Sequence, residues 1–434
     1  MSRVIERFVQ LASKATSGSV RKEYRGTSDS SMEPSDATRA CGPPAGNSIS
    51  RALNFDGSHL AYCTNIHPAE SWAETFTVLG SHVLAVRDRL RENGKLPAGA
   101  PFAIGLRLSA VAASELLEGT QLREFRSWLQ ETNCYVFTIN GFPYGSFHGT
   151  RVKELVFKPD WTDRSRLDYT KNLFRILAVI ARPGTGASVS TLPGSHKTFH
   201  ADEALIRQNL NELAVWLEEL AAETGHDFHL GLEPEPLGHF ENTAETLLFF
   251  ERLLATAADP QVVRRRIGVN FDTCHFAIEF DAIGPSLDAL HQAGIRLSKI
   301  HLSSALAFDP QDPTAVEAIR AFDEPTYFHQ VLVLGKMGEI THFVDLPDFL
   351  NAPAVPDAIE ARVHFHIPMD AEPLLPLRST HRQVVEIFAW RRDHPQACRH
   401  YEIETYTWGV LPKGLQRPVE EQLASEYAWV IDNA

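Results

Sequence analysis

Acidic and histidine side chains recur in this sequence at the ends of short apolar runs. In "VNFDTCH", residues 269–275, the run breaks at Asp272 and His275 follows three residues later. Comparable runs reach Glu233 in "FHLGLEPE", His301 in "KIHL" and Glu404 in "HYEIE". Three carboxylates around one void repel each other strongly, so either their pKa values rise or a cation lies between them. The four side chains Glu233, Asp272, His301 and Glu404 therefore predict a metal site, provided that the fold brings them together.

The residue types in this set indicate which ions would bind. Mixed oxygen and imidazole ligands suit Mn²⁺, Mg²⁺, Zn²⁺ or Fe²⁺, and the lack of cysteine argues against a closed structural zinc site. A single strand-end carboxylate such as Glu233 is more often a helix cap or an ion-pair partner, so the prediction rests on all four strands together. Glu235 is an alternative ligand to Glu233. Glu402 shares the phase of Glu404 but lies deeper in its strand.

The elements that must position these residues alternate along the chain. From His59 onward, short β-type runs that end at Gly, Pro, Asn or Asp are each followed by a helical stretch. Repeated strand–helix units predict a parallel sheet, and eight of them close into a (β/α)8 barrel of ~250 residues. Residues 59–434 fit such a barrel domain if residues 303–375 form a β-rich insertion between the last two barrel strands.

The insertion leaves nine candidate strands for eight barrel positions. A hairpin is predicted to turn between Gly335 and Gly338, and "VHFHIP", residues 363–368, follows it. We predict that "VHFHIP" is the strand that lies outside the barrel, because it adjoins the hairpin.

Each predicted barrel strand has two phases, since successive side chains point to opposite faces. One phase is apolar and faces the helices, while the other carries small residues and then a polar residue at the C-terminal mouth, where barrel active sites lie. This rule yields three further candidate substrate contacts: His67, Arg107 and Asn140. The turn after Asp272 adds His275, and "VHFHIP" adds His364 and His366. The last two are equally compatible with simple packing.

Composition excludes several classes of function. A formal net charge of −14 argues against nucleic acid and anionic membranes as partners. The five cysteines are scattered and form no CxxC pair, which favours a reducing cytoplasm over a disulfide framework. No apolar run approaches the ~20 residues of a transmembrane helix. Residues 1–58 are rich in Ser, Gly and Pro and are predicted to form a disordered extension.

The motifs "LEPEP", "FDTCH", "KIHLSS" and "YEIET", in this order, resemble the xylose isomerase-like TIM-barrel superfamily. That superfamily contains sugar isomerases, epimerases and nucleases of the endonuclease IV type. A second set of motifs, "YCTNIHPAESW", "IGLRLSA", "VFTINGFPYGSFHGTRVKE", "VHFHIP" and "ETYTW", resembles the EboE family of metabolite-traffic proteins, which are encoded in Ebo gene clusters.

The superfamily resemblance implies roles for individual residues. Glu233, Asp272, His301 and Glu404 correspond to the metal ligands, Glu233 and Glu404 also to the acid/base pair of the epimerases, and His275 to their substrate-contacting histidine. The epimerases carry an arginine soon after the histidine ligand, which "HLSSALAFDP" lacks. Arg107 or Arg151 are the candidates to replace it.

The Ebo resemblance implies traffic of a secondary-metabolite or isoprenoid-like precursor, with other Ebo-cluster proteins as partners. Three hypotheses follow. The first is a metal-dependent isomerase or epimerase, and the second is a binding or carrier component that has lost turnover. The third is an endonuclease IV-like phosphoester hydrolase, which would need more ligands and a basic rim.

Overall fold

The computed structural model describes residues 57–145, 153–371, 373, 375–412 and 416–434. Residues 1–56 of the predicted N-terminal extension, and Arg151, lie outside these described residues. No helix in the described part of the chain is long and apolar enough to cross a membrane.

Eight parallel strands form one sheet in the order β1-β13-β7-β6-β5-β4-β3-β2. An isolated parallel bridge between Cys63 and Gly105 joins its two edges, so the sheet is a nearly closed barrel. The barrel strands are β1 (His59–Tyr62), β2 (Phe102–Arg107), β3 (Cys134–Asn140), β4 (Ala187–Thr191), β5 (Phe228–Leu232), β6 (Ile267–Asp272), β7 (Arg296–Leu302) and β13 (His400–Ile403). The predicted (β/α)8 class is confirmed.

The helices connect successive strands, and several begin after a residue whose side chain accepts a backbone N–H. Ser71 forms a capping box with Glu74. Asp202 and Asn242 begin two longer helices, where their side chains accept the backbone N–H groups of Ala204 and Glu245. The helices before β8 are α1 (Trp72–Val78), α2 (Leu84–Glu92), α3 (Ala110–Leu117), α4 (Gln121–Glu131), α5 (Arg164–Ile180), α6 (Glu203–Thr224), α7 (Thr243–Ala255), α8 (Pro260–Arg266), α9 (Thr273–Ile278) and α10 (Ile283–Gln292).

A second sheet lies in the chain between β7 and β13. Its five antiparallel strands follow the order β10-β9-β11-β8-β12. They are β8 (Ser304–Phe308), β9 (Val331–Gly335), β10 (Ile340–Phe343), β11 (Ala358–Ile367) and β12 (Arg378–Ser379). The β9–β10 hairpin is as predicted, and most of "VHFHIP" belongs to β11, outside the barrel. The β-rich insertion between the last two barrel strands is thereby confirmed.

The remaining helices flank the insertion and end the chain: α11 (Pro313–Ile319), α12 (Leu346–Asn351), α13 (Arg382–Asp393) and α14 (Val419–Asn433). The insertion has its own apolar core, which includes Leu306, Val333 and Phe365. It therefore forms a small packed layer, and it is not a loose loop over the barrel.

The predicted two phases of the barrel strands are visible in β6. Ile267, Val269 and Phe271 belong to the large apolar cluster under the helices, whereas Asn270 and Asp272 reach polar partners in the interior. Interior space is tight. A Cβ atom on Gly105 of β2 would lie 1.9 Å from Oε1 of Glu402, so glycine is required for this approach.

Candidate metal centre

Four side chains converge where β5, β6, β7 and β13 end. Glu233, Asp272, His301 and Glu404 each offer a ligand atom, these atoms all lie within 4.8 Å of one another, and all four residues are buried. Because the four strands are neighbours in the sheet, their carboxyl ends meet at one place. The structure therefore brings together the four residues in which the sequence predicts a metal site.

His301 lies at the centre of this group. Its Nδ1 atom is 3.0 Å from Oε1 of Glu233, 2.8 Å from Oε2 of Glu404 and 3.4 Å from Oδ2 of Asp272. Burial lowers the pKa of His301, but the charges of Glu404 and Glu233 outweigh it and hold that pKa well above its usual value. Positive charge is thus strongly favoured at the point where the three carboxylates meet.

The other ring nitrogen of His301, Nε2, contacts Glu402. Nε2 lies 2.9 Å from Oε2 of Glu402, which also forms an ion pair with Lys299. Lys299 in turn donates to Oγ of Ser190 at 2.8 Å. Burial raises the pKa of Glu402, but the charges of Lys299 and His301 outweigh burial and lower this pKa to about 2. Glu402 is therefore ionised and accepts the Nε2 proton of His301.

The unsatisfied groups in this cluster indicate whether a metal ion fits. A neutral His301 that donates from Nε2 has its lone pair at Nδ1. This lone pair can accept from Nδ2 of Asn270 at 3.2 Å, but it also faces carboxylate oxygens, which can only accept. Oδ2 of buried Asp272 also makes no hydrogen bond to any described residue. A proton or a metal cation at Nδ1 resolves this contact, and three carboxylates with one imidazole form a usual ligand set for a divalent ion. The residues present fit such an ion.

Glu235, the alternative ligand, lies outside the group of four. Its Oε1 atom has no hydrogen-bond partner among the described residues. Burial raises the pKa of Glu235 well above its usual value, and the charges of Glu233, Asp272 and Glu404 add to the rise. The geometry thus favours Glu233 as the ligand and leaves Glu235 as a neutral carboxyl group in the same cavity.

A cavity opens above the cluster. It combines polar and aromatic side chains, and Lys153 is the one lysine or arginine among the described residues that line it. Lys153 forms an ion pair with Asp345 and lies over the Phe328 ring. The lining residues are Asn65, Asn140, Phe142, Pro143, Lys153, Val156, Phe157, Glu233, Glu235, His275, Tyr327, Phe328, Gln330, His364, Glu404 and Tyr406.

Three of the predicted substrate contacts line this cavity: Asn140, His275 and His364. Asn140 donates to Oε1 of Glu404 at 3.3 Å. His366 is not among the lining residues but contacts His275 directly, with 3.3 Å between their Nε2 atoms. Strand β11 of the insertion therefore brings both of its histidines to the barrel mouth.

The structure does not bring His67 or Arg107 to the lining of the cavity. Strand β1 ends at Tyr62 and a 3₁₀ turn follows, so the strand alternation does not extend to His67. The His67 ring instead stacks on His82, with 4.6 Å between ring centroids. Arg107 donates to the carbonyl oxygens of Ala69 and Gly145, which ties loops together beside the barrel.

Some contacts of the site were missed by the sequence prediction. Asn65 donates to Oε1 of Glu404 at 2.8 Å from the 3₁₀ turn, and Lys299 neutralises Glu402 inside the barrel. The polar phase of β7, which carries Lys299 and His301, was the available signal for the lysine. Nothing in the strand pattern pointed to Asn65, because it follows the end of β1.

Comparison with known proteins gives structural likenesses alone. No protein-family model and no curated protein matches the chain. The IolI protein with a bound zinc atom is similar at 11% identity and a TM-score of 0.46, covering 86% of this chain and 97% of that one. A xylose isomerase-like TIM-barrel protein from Mycobacterium smegmatis in complex with magnesium has 12% identity and a TM-score of 0.42, covering 81% and 88%.

The probable 3-DHS dehydratase AsbF from Bacillus anthracis is similar at 11% identity and a TM-score of 0.40, covering 85% of this chain and 97% of that one. At these identities the account of the site rests on this chain's own geometry.

Proposed function

We propose that this protein is a metal-dependent isomerase or epimerase that moves a proton on a small hydroxy-carbonyl or polyol metabolite. The observation that carries the proposal is the pair Glu233 and Glu404. Both carboxylates line the cavity, and both approach the same Nδ1 atom of His301. Two acid/base groups thus stand beside one ligand set.

Glu233 and Glu404 each have two roles in this proposal, as ligands of the ion and as acid/base groups. Glu233, Asp272, His301 and Glu404 hold the ion, which when bound polarises adjacent oxygen atoms of the substrate. Glu233 or Glu404 accepts the proton from the substrate carbon and returns it. Asn65 and Asn140 both donate to Oε1 of Glu404 and so fix its orientation.

The cavity supports a substrate with a polar head and an apolar flank. Carboxylates and amides form the floor, while Phe142, Phe157, Phe328 and Tyr406 supply aromatic surface on the walls. A sugar-like or isoprenoid-like precursor meets this description. The Ebo-type resemblance supports a secondary-metabolite precursor, with other Ebo-cluster proteins as its source or destination.

The test is hydrogen exchange. The purified protein, loaded with Mn²⁺, is incubated in heavy water with polyols, keto-sugars or the precursor made by its own gene cluster. An isomerase exchanges a substrate hydrogen for deuterium even when net conversion is small. Glu233→Gln should abolish the exchange, and Glu404→Gln should abolish it with a larger loss of metal affinity. His400→Gln, a buried histidine below the site, is the matched control and should exchange normally.

A carrier without turnover is the second candidate. One observation favours it: no arginine is present among the described residues that line the cavity, and Arg107 is occupied by backbone carbonyls. A carrier binds the metabolite, with the metal present, and shows no exchange. The hydrolase hypothesis has less support, since Lys153 is the one lysine or arginine among the described lining residues and is already paired with Asp345.

A further inference from the structure

Strand β11 of the insertion brings His364 to the lining of the cavity. Its backbone N–H donates to the carbonyl oxygen of Gln330 at 2.9 Å, and its Nδ1 atom lies 2.8 Å from Oε1 of the same glutamine. The carbonyl oxygen of His364 lies 2.9 Å from Nδ1 of His329. Neighbours within the insertion therefore fix both the backbone of His364 and one edge of its ring.

The contacts of Gln330 determine the tautomer of His364. Nε2 of Gln330 donates to the carbonyl oxygen of Pro236, in the loop after β5, at 3.2 Å. Because this carbonyl oxygen can only accept, the amide oxygen of Gln330 is the atom that faces His364. An amide oxygen also can only accept, so Nδ1 of His364 carries the proton and the neutral ring has its lone pair at Nε2.

This lone pair has no donor among the described residues. Nε2 of His364, a residue 4% exposed, makes no hydrogen bond to any of them. Burial, with the charges of His275 and His366, lowers the pKa of His364 well below its usual value, so the ring stays neutral. A buried acceptor without a partner is destabilising. A molecule in the cavity that donates to Nε2 relieves this cost.

The hydrogen-bond donors of three other lining side chains are already engaged. Asn140 donates to Oε1 of Glu404, Lys153 forms an ion pair with Asp345, and the amide of Gln330 donates to a backbone carbonyl. The free group on this side of the cavity is an acceptor. A hydroxyl group, which can donate, therefore matches it better than a carbonyl or ether oxygen, which can only accept.

We propose that His364 is a specificity-determining residue whose Nε2 atom accepts a hydrogen bond from a hydroxyl group of the molecule bound in the cavity. This role rests on the proposed hydroxylated metabolite but not on turnover, so it applies equally to an enzyme and to a carrier. The barrel supplies the metal ligands, whereas the insertion supplies the group that selects the bound molecule. A site built to accept from a hydroxyl group discriminates against analogues that lack it.

The test compares substitutions that remove different nitrogens of His364. Asparagine keeps a donor near the position of Nδ1 and loses the acceptor, whereas glutamine can place its amide oxygen near the position of Nε2. His364→Phe, which removes both nitrogens and keeps an aromatic ring, is the second variant without the acceptor. Circular dichroism establishes that each full-length variant is folded.

Calorimetric titration with Mn²⁺ present uses xylitol, D-sorbitol and D-fructose as probes. We expect wild type to bind at least one of them, and His364→Asn and His364→Phe to bind it about tenfold or more weakly. His364→Gln should recover part of this loss. His400→Gln, whose ring nitrogens contact Ser188 and Thr185 away from the cavity, is the control and should bind as wild type does.

Three results of the titration would overturn the proposal. They are no binding of any probe to wild type, equal Kd values for wild type and His364→Asn, and equal weakening in His364→Asn and His364→Gln, which would indicate a structural effect. The Mn²⁺ affinity of His364→Asn should equal that of wild type. A loss as large as that of Glu233→Gln would make His364 a metal ligand and would also overturn its role in recognition.

Deuterium exchange separates this proposal from the proposed function. A probe that binds through Nε2 of His364 but does not exchange would support the role of His364 and argue against an isomerase. Exchange in wild type, together with an unchanged Kd in His364→Asn, would support the isomerase and overturn the role of His364.

Discussion

Nε2 of His301 lies 2.9 Å from Oε2 of Glu402, while Nδ1 of the same ring faces the carboxylates of Glu233, Asp272 and Glu404. The strand register produces this contact, because Glu402 of β13 is the partner of His301 of β7, and Asp272 of β6 is its partner on the other side. The ring is therefore held by backbone pairing and by an ionised carboxylate together. Such a partner orients the ring and determines which nitrogen faces a metal ion.

The ion pair of Lys299 and Glu402 should behave as a buried unit. Both side chains are fully buried, so Glu402→Gln leaves the charge of Lys299 without its partner and should lower the free energy of unfolding by about 3–5 kcal/mol. Lys299→Met with Glu402→Gln removes both charges and should recover much of that loss. Denaturant unfolding measures the difference. A double variant less stable than Glu402→Gln would contradict this prediction.

Gly105→Ala should destabilise the barrel and displace Glu402. The added Cβ atom would lie 1.9 Å from Oε1 of Glu402 and 2.5 Å from the backbone oxygen of Tyr62. Overpacking of this kind costs about 1–3 kcal/mol. Gly284→Ala, in helix α10 with open space around its Cβ position, is the control and should change the unfolding free energy by under about 1 kcal/mol. Equal stability of the two variants would contradict the prediction and would show that β2 can move away from Tyr62 and Glu402 at little cost.

Glu233→Gln and Glu235→Gln should differ in metal affinity. Glu233 belongs to the close group of four and Glu235 does not, so the first substitution removes a ligand and the second keeps the ligand set. Calorimetric titration with Mn²⁺ measures both. We expect at least a tenfold weaker Kd for Glu233→Gln and little change for Glu235→Gln. The reverse order would assign the ligand role to Glu235.

The insertion should carry a pH-dependent contribution from Glu324. Burial raises the pKa of this carboxyl group, but hydrogen bonds from His329 and from the backbone N–H groups of Tyr327 and Thr326 outweigh it and lower the pKa to about 2. A lowered pKa stabilises the fold above the ordinary value of about 4.5, and this stability is lost as the pH falls from about 4.5 toward 2.

Glu324→Gln should therefore lower the free energy of unfolding by up to about 3 kcal/mol at neutral pH, and by less as the pH falls below 4.5. Glu223→Gln, at an exposed helix position, serves as the control and should change the free energy of unfolding little at neutral pH. A difference for Glu324→Gln that stays constant from pH 7 to pH 3 would contradict the assignment.

The strand phases were sufficient to predict that the four candidate metal ligands converge. Asp272 ends β6 in the phase opposite to Val269 and Phe271, and the same pattern selects Glu233, His301 and Glu404. Where a strand ends is harder to predict. Strand β1 stops at Tyr62, so strand alternation does not carry His67 to the cavity, and its role as a substrate contact stays a prediction. Strand β8 went unpredicted, since its run "SALAF" directly continues the apolar end of β7.

Pairing between distant segments was beyond the sequence pattern. The contact between His275 and His366 spans 91 residues and depends on how the insertion packs on the barrel. The ion pair between Lys299 and Glu402 depends on the register of β7 and β13. Phase predicts which face a side chain occupies, whereas register determines which side chain it meets.

The central claim is that Glu233, Asp272, His301 and Glu404 bind a divalent ion. Its most direct test is the melting temperature of wild type and of His301→Ala with and without Mn²⁺, an ion that suits carboxylate ligands. Binding to the native state stabilises it, by about 2.7 kcal/mol at a hundredfold excess over Kd. We predict that Mn²⁺ raises the melting temperature of wild type and of His400→Gln but leaves His301→Ala unchanged. No rise in wild type, or an equal rise in His301→Ala, would contradict the account.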